Sequence, residues 1–179
     1  MLERIHVMGA YWREDHNLQT PLGELIASAK DHHSATAVTR LQEQLSDFVH
    51  GLETTSGAAA EPHADILAVP VPNGSGSNRR LVPALASAVA DAMGASVCEA
   101  LTRQETMARM RDTPLQQRLA VVQAAGYEIG GQVAGHGVVL VDDVVMTGTT
   151  LRYLARLLRD AGAARVIAVV AAQTRRAGQ

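Results

Sequence analysis

Residues 138–150 constrain the fold of this chain more than any other segment, because an apolar run, two acids and a hydroxyl-rich turn follow one another there. The run at 138–141, Val-Val-Leu-Val, is typical of a strand buried on both faces of a sheet. Asp142 and Asp143 come where that strand should end, and a turn at 147–150 leads into a predicted helix. Such a turn offers unpaired backbone N–H groups to a phosphate. The pattern therefore predicts a site for a phosphorylated sugar, whose hydroxyl groups the two carboxylates would bind.

The same segment resembles the motif with which type I phosphoribosyltransferases bind 5-phosphoribosyl-1-pyrophosphate (PRPP). The resemblance implies that Asp142 and Asp143 are catalytic residues that bind the ribose hydroxyl groups. It also implies that the 5′-phosphate is bound by Thr147, Gly148, Thr149 and Thr150.

Two other interpretations of the acid pair were weighed against this one. The first is a buried strand that simply ends in two solvated acids. The second is a receiver domain, which also carries Val-Asp-Asp at a strand end, but near the start of the domain and with a phospho-acceptor aspartate on a later strand. Only one more strand is predicted here, without an aspartate at its end, so we set the receiver domain aside.

Strand and helix patterns alternate from residue 65 onward, with an irregular, polar segment at 102–135. The predicted strands are 65–71, 96–100, 138–142 and 166–171, and the predicted helices are 81–93 and 149–161. Repeated β-α-β units imply a parallel sheet with helices on both faces and ligands beyond the carboxyl ends of its strands. We therefore predict a single α/β domain, in which a central parallel sheet flanked by helices forms a PRPP-binding core over residues 65–175.

The first 60 residues differ in character from this core. The pattern at 5–12 fits an extended segment, and Thr20 before Pro21 predicts the start of a helix. Residues 35–52 carry apolar side chains at helical spacing, and residues 57–62 read as a linker. We therefore predict that residues 1–60 form an N-terminal helical or hood-like addition.

A second loop follows the strand predicted at 65–71, where proline, asparagine, glycine and serine permit successive N–H groups to point at one anion. The resemblance places the pyrophosphate of PRPP at this loop. Its predicted binding residues are Val71, Pro72, Asn73, Gly74, Ser75, Arg79 and Arg80. The alternative is an ordinary surface turn followed by two solvated arginines.

A third loop lies within the long polar segment, where a connection of that length commonly acts as a lid or binding loop. The spacing Arg-x-Arg-x-Thr-x-x-Gln resembles the mobile loop of the competence protein F (ComF) branch, without that branch's N-terminal cysteine-rich zinc-binding segment. The resemblance implies catalytic roles for Arg109 and Arg111 and closure over PRPP by Thr113 and Gln116. The alternative is a helix that begins at Pro114, with solvated arginines.

Composition excludes several other classes of protein. The net charge of −2 and the pI of about 6.4 provide no general attraction to nucleic acid or to an anionic membrane. Cys98 is the only cysteine, which excludes an internal disulfide and a cysteine-cluster zinc site. No signal peptide and no run of membrane-spanning length is visible, so we expect a cytoplasmic protein.

Together with these patterns, the resemblance to phosphoribosyltransferases implies transfer of the 5-phosphoribosyl group from PRPP to a small nitrogenous acceptor, with release of pyrophosphate. We expect Mg²⁺ to be held by ligand oxygens and water, with Asp142 and Asp143 as its candidate protein ligands. The resemblance also implies a homodimer. Residues 1–60 and 100–135 should select the acceptor, but they carry no readable motif. The alternative is a regulator that binds PRPP or a nucleotide without turnover, or a competence-associated protein of the ComF type.

Overall fold

The computed structural model describes residues 1–13, 18–56, 65–72, 80–104, 114 and 117–174. Its helices and strands follow the apolar patterns of the sequence. In chain order they are β1 (Ile5–Ala10), α1 (Pro21–Asp31), α2 (Ala35–Ser56), β2 (Ile66–Pro70), α3 (Leu81–Met93), β3 (Ser96–Val97), β4 (Leu101–Arg103), α4 (Arg118–Ala124), β5 (Tyr127–Ile129), β6 (Gly137–Val145), α5 (Thr149–Asp160) and β7 (Arg165–Gln173).

A five-stranded sheet lies at the centre of the molecule, in the order β1-β7-β6-β2-β3. The described pairs in this sheet are all parallel. β6 is central, and its apolar run is buried on both faces, because Leu140 packs into one core cluster and Val141 packs into the other. The predicted α/β class, with a central parallel sheet flanked by helices, is therefore confirmed.

Helices cover both faces of this sheet. α5 buries Leu151, Leu154 and Leu158 against one face, beside an antiparallel ribbon formed by β4 and β5. The other face is covered by α1, α2 and α3, which contribute apolar side chains to the second core cluster. Each helix presents an apolar stripe to the sheet, so the core consists of two layers separated by the strands.

The N-terminal segment differs from the prediction. β1 pairs in parallel with β7, from Ile5 opposite Ala168 to Ala10 opposite Gln173, and it forms an edge of the central sheet. Leu41 and Leu45 on α2 are fully buried in the second core cluster. Because β7 is apolar on both faces and needs a partner beyond β6, the N-terminal residues complete the core. They include helices α1 and α2, as a helical addition would, but β1 and the buried face of α2 make them part of the central sheet and its core.

Element ends agree with the capping signals of the sequence. The Thr20 hydroxyl accepts a hydrogen bond from the Gly23 N–H at 3.0 Å at the start of α1. Gly94, with φ of 60°, ends α3 directly after the predicted helix at 81–93. The segment predicted as irregular at 102–135 instead contains β4, α4 and β5, which are too short to produce a clear period in the sequence. Among the described residues, no helix combines the length and the apolar character needed to cross a bilayer.

Candidate functional site

One cavity of about 410 Å³ lies at the carboxyl ends of β1, β6 and β7. Tyr11 directly follows β1, Thr174 directly follows β7, and the loop at 146–150 follows β6. The lining includes both motif acids, all four residues of the turn at 147–150 and, from outside the motif, Tyr11, Lys30, Asp31 and Thr174. The structure therefore brings together the acids and the turn, as the sequence predicted.

The acid pair lies within β6 rather than at its end. Pairing of β6 with β2 stops at Val141 opposite Pro70, but pairing with β7 continues as far as Val145 opposite Gln173. The sequence suggested a strand that ends at the acids. Pairing with β7 prolongs β6 past the acids, so the backbone of both acids is held by the ladder on that side.

Asp143 is the one charged side chain that is buried among the described residues, with 4% of its surface exposed. Its Oδ2 lies 2.6 Å from the Nζ of Lys30, which is at the last turn of α1. Oδ2 has no partner in hydrogen-bonding geometry within the described part of the chain, so the contact with Lys30 is an ion pair rather than a well-directed hydrogen bond. A buried carboxylate of this kind depends on a nearby positive charge.

Asp142 is in a different electrostatic state. Asp142 is half-buried, and its partial removal from water, reinforced by the negative charge of Asp143, raises the pKa of Asp142 to about 8. The Asp143 N–H, which donates to Asp142 Oδ1 at 2.9 Å, and the Lys30 ammonium partly oppose this rise. At neutral pH the ligand-free Asp142 is therefore mostly protonated. A cation that arrives in the cavity would favour its ionised form.

The turn after β6 has the geometry of an anion site at a helix start. Gly148 has φ of 72° and stands immediately before α5, without a side-chain cap for the first amides of the helix. The hydroxyl oxygens of Thr147 and Thr149 lie 2.9 Å apart, and Arg152 Nη1 donates to the Thr147 carbonyl at 2.7 Å. The amides of Thr149 and Thr150 have no partner within the helix, which leaves them available to a phosphate.

The other two predicted loops are described only at their ends. Val71 is buried and its N–H donates to the Val141 carbonyl at 2.9 Å, so the second loop begins beside the acid pair. Pro72 follows it, and Arg80 is exposed at the start of α3. The remaining predicted residues lie outside the described part of the chain: Asn73, Gly74, Ser75 and Arg79 of the second loop, and Arg109, Arg111, Thr113 and Gln116 of the third.

Sequence analysis missed the residues that the N-terminal segment and β7 contribute to the cavity. Tyr11 accepts a hydrogen bond from Gln19 Nε2 at 3.1 Å, and burial raises the pKa of its phenol. The Thr174 N–H donates to the Val145 carbonyl at 2.9 Å, which extends the pairing of β6 and β7 to the cavity. The only available signal was that Lys30 is the sole lysine of the chain. Because Lys30 is more than a hundred residues from the motif, its contact with Asp143 could not be inferred from the sequence.

The oxygen atoms of the acid pair suit a cation that takes the rest of its ligands from a bound substrate and from water. Within the described residues, no group of three or more His, Cys, Asp or Glu side chains is arranged to bind a metal. Two adjacent carboxylates are present, and Asp143 Oδ2 has no hydrogen-bond donor of good geometry. These oxygens fit Mg²⁺ that takes its remaining ligands from a phosphorylated substrate and from water.

Comparison with known proteins gives a family match and likenesses to solved structures. A model of the phosphoribosyl transferase domain matches residues 83–179. No curated protein matches the chain. A variant of hypoxanthine phosphoribosyltransferase from Trypanosoma cruzi, in a ternary complex with substrates, is 19% identical with a TM-score of 0.44, over 74% of this chain and 65% of that one. Glutamine phosphoribosylpyrophosphate amidotransferase from B. subtilis, complexed with ADP and GMP, is 24% identical with a TM-score of 0.44, over 73% of this chain and 26% of that one. The chain thus spans less than two thirds of either structure.

Proposed function

Because the chain belongs to the phosphoribosyl transferase domain family, whose model matches residues 83–179, we propose that it transfers the 5-phosphoribosyl group of PRPP to a nitrogenous acceptor and releases pyrophosphate. The observation that carries the proposal is the shared cavity, which is lined by both Asp142 and Asp143 and by the turn at 147–150. A phosphorylated ribose needs acceptors for its hydroxyl groups and donors for its phosphate, and this cavity offers both kinds of group side by side.

Each end of the sugar has its own set of protein groups in this proposal. The unpaired amides of Thr149 and Thr150, with the hydroxyl groups of Thr147 and Thr149, bind the 5′-phosphate. Asp142 and Asp143 accept hydrogen bonds from the ribose hydroxyl groups. Two contacts at opposite ends of one ring fix the orientation of its reacting carbon relative to the acceptor.

The chemistry that we propose needs no protein nucleophile. Departure of pyrophosphate leaves positive charge on the ribose ring, and the carboxylates of Asp142 and Asp143 stabilise that charge. Mg²⁺, when bound, neutralises charge on the pyrophosphate. The loop of Val71, Pro72, Asn73, Gly74 and Ser75, together with Arg79 and Arg80, would bind the same group, since its first residue is hydrogen-bonded to β6 beside the acids.

The segment that contains Arg109, Arg111, Thr113 and Gln116 is proposed to close over bound PRPP and to exclude water from the reaction. The support is its position in the chain, because it connects β4 to α4, and β4 pairs with β5 on the same face of the sheet as α5. Its Arg-x-Arg-x-Thr-x-x-Gln spacing also supports a relationship to the ComF branch.

The proposal is tested by pyrophosphate release from PRPP and Mg²⁺ with a panel of nucleobases, amines and ammonia, alongside calorimetric PRPP binding. Asp143→Asn should weaken PRPP binding at least about tenfold, because a charge-assisted hydrogen bond is lost. Asp160→Asn is the matched control, since Asp160 is exposed at the end of α5.

Circular dichroism should show that both variants fold. If wild-type protein does not bind PRPP, or if Asp143→Asn binds it as tightly as Asp160→Asn, the proposal is wrong. Binding without release for any acceptor would instead favour the PRPP-binding regulator.

A further inference from the structure

Lys30 is the only lysine of the chain, and in the folded protein its side chain contacts the acid pair. Ile26 and Ala29 on α1 are buried against the sheet, which places the last turn of the helix over the end of β6. The Lys30 Nζ lies 2.6 Å from Asp143 Oδ2, and the side chain of Lys30 is 21% exposed while that of Asp143 is 6% exposed.

The contact engages one carboxylate oxygen of Asp143, a residue that lines the cavity. Asp143 Oδ2 has no hydrogen-bond donor of good geometry among the described residues, so the ammonium is its principal neutralising group. Lys30 also lines the cavity, and its four-carbon stem gives the ammonium freedom to turn away from the acid without any movement of the backbone.

We propose that Lys30 is a resident cation that neutralises Asp143 in the ligand-free protein and must leave Oδ2 before a divalent cation binds to that carboxylate. The inference rests on the proposed function for the presence of the divalent cation. It assigns to an N-terminal helix a role toward an acid pair that comes from the C-terminal half of the chain.

The physical reason is competition between two positive charges for one buried oxygen. An ammonium and a divalent ion within a few ångströms of each other repel strongly where protein surrounds them. Displacement of Lys30 therefore costs free energy, which makes the observed affinity for a divalent ion weaker than the intrinsic affinity of the acid pair. Removal of the ammonium should increase that affinity, even though it leaves Asp143 without a partner in the ligand-free protein.

The experiment measures the affinity of the full chain for Mn²⁺ alone, by electron paramagnetic resonance of free Mn²⁺ and without PRPP. Mn²⁺ is the probe because it prefers the same carboxylate and water ligands as Mg²⁺. Lys30→Met and Lys30→Gln should bind Mn²⁺ at least about tenfold more tightly than wild type. Arg156→Met, which removes an equal charge from the exposed side of α5, should bind Mn²⁺ as wild type does.

Two further variants make the result specific. Lys30→Arg keeps the positive charge and should retain the wild-type affinity, and Asp143→Asn combined with Lys30→Met should abolish the gain. If Lys30→Met is unfolded without a cation, restoration of its fold by Mn²⁺ supports the proposal.

The inference is overturned if Lys30→Met and Lys30→Gln bind Mn²⁺ no more tightly than wild type, bind it undetectably, or are not restored by it. These Mn²⁺ measurements do not test the proposed function. Pyrophosphate release from PRPP tests it separately. A protein that turns over PRPP but shows no gain for the Lys30 variants refutes only the inference. A gain in Mn²⁺ affinity without PRPP binding refutes only the function.

Discussion

Asp142 and Asp143 are adjacent in the sequence, yet they differ in environment and charge. Asp143 is paired with Lys30 at 2.6 Å, whereas burial and the neighbouring carboxylate raise the pKa of Asp142 to about 8. The ligand-free site therefore balances one negative charge with one positive charge and keeps the second acid largely neutral. A bound cation or sugar would alter both the Lys30–Asp143 ion pair and the protonation of Asp142, so ligand binding should change the charge of the site.

The raised pKa of Asp142 predicts how stability depends on pH. The folded protein holds a proton on Asp142 between about pH 4 and pH 8, where the unfolded chain does not. Asp142 therefore stabilises the fold fully at low pH, and this stabilisation is lost as the pH rises toward 8. The slope is at most about 1.4 kcal/mol per pH unit.

Urea denaturation without divalent cations, repeated between pH 5 and pH 8, measures this slope. Asp142→Asn cannot titrate, so its free energy of unfolding should fall less steeply with pH than that of wild type. Identical slopes for the two proteins would contradict the raised pKa.

At the scale of elements, the site depends on the junction between β6 and α5. β6 is prolonged past the acids by its pairing with β7, and Gly148 then turns the chain into α5 with a positive φ. A side chain at position 148 would place its Cβ 3.0 Å from the Ile5 side chain on β1. The junction is therefore packed against the N-terminal strand, and three elements (β1, β6 and α5) surround the turn at 147–150.

Gly148→Ala should lower the free energy of unfolding by about 1–2 kcal/mol and weaken PRPP binding, because a left-handed residue with a Cβ is strained and here also crowded. Gly94→Ala is the matched control. Gly94 also has a left-handed φ, of 60°, but a Cβ there meets nothing within 4 Å and the position ends α3.

Thermal unfolding and calorimetry with PRPP distinguish the two variants. Both should lose stability, but only Gly148→Ala should lose affinity. Equal PRPP affinities would mean that the turn is not the phosphate site.

At the scale of the whole molecule, the N-terminal residues and the PRPP-motif half of the chain share one core. β1 closes the β7 edge of the sheet, and α1 and α2 pack on the same face as α3. The cavity is built from both halves, because Lys30 comes from α1 and the acids come from β6. A change in the N-terminal core should therefore affect the stability of the entire protein rather than that of one part.

Leu45→Ala on α2 should lower the free energy of unfolding by about 2–5 kcal/mol, as expected for a fully buried leucine. Leu158→Ala on α5, which is equally buried on the opposite face of the sheet, should have an effect of the same size. Urea denaturation followed by circular dichroism should show a single transition in both variants. Two separate transitions in Leu45→Ala would contradict this expectation, because they would show that the N-terminal residues unfold as a unit of their own.

The local patterns of the sequence were sufficient for the class of fold and for most elements of its second half. The apolar run at 138–141, the glycines at 94 and 148 and the caps at Thr20 and Pro21 each act within a few residues, so their effects can be read from neighbouring letters. The proximity of the acids to the turn followed in the same way, because the short segment 142–150 contains both.

Only the tertiary structure decided the place of the N-terminal residues and the charge state of the acid pair. The pairing of β1 with β7 and the contact of Lys30 with Asp143 join residues that are more than a hundred positions apart. No local pattern encodes such contacts. They form when apolar faces that are distant in the sequence pack on the same sheet, which brings the polar residues next to those faces together. The sequence by itself determined that two carboxylates and a Thr/Gly turn lie close together, whereas packing determined that the Lys30 ammonium pairs with one of those carboxylates.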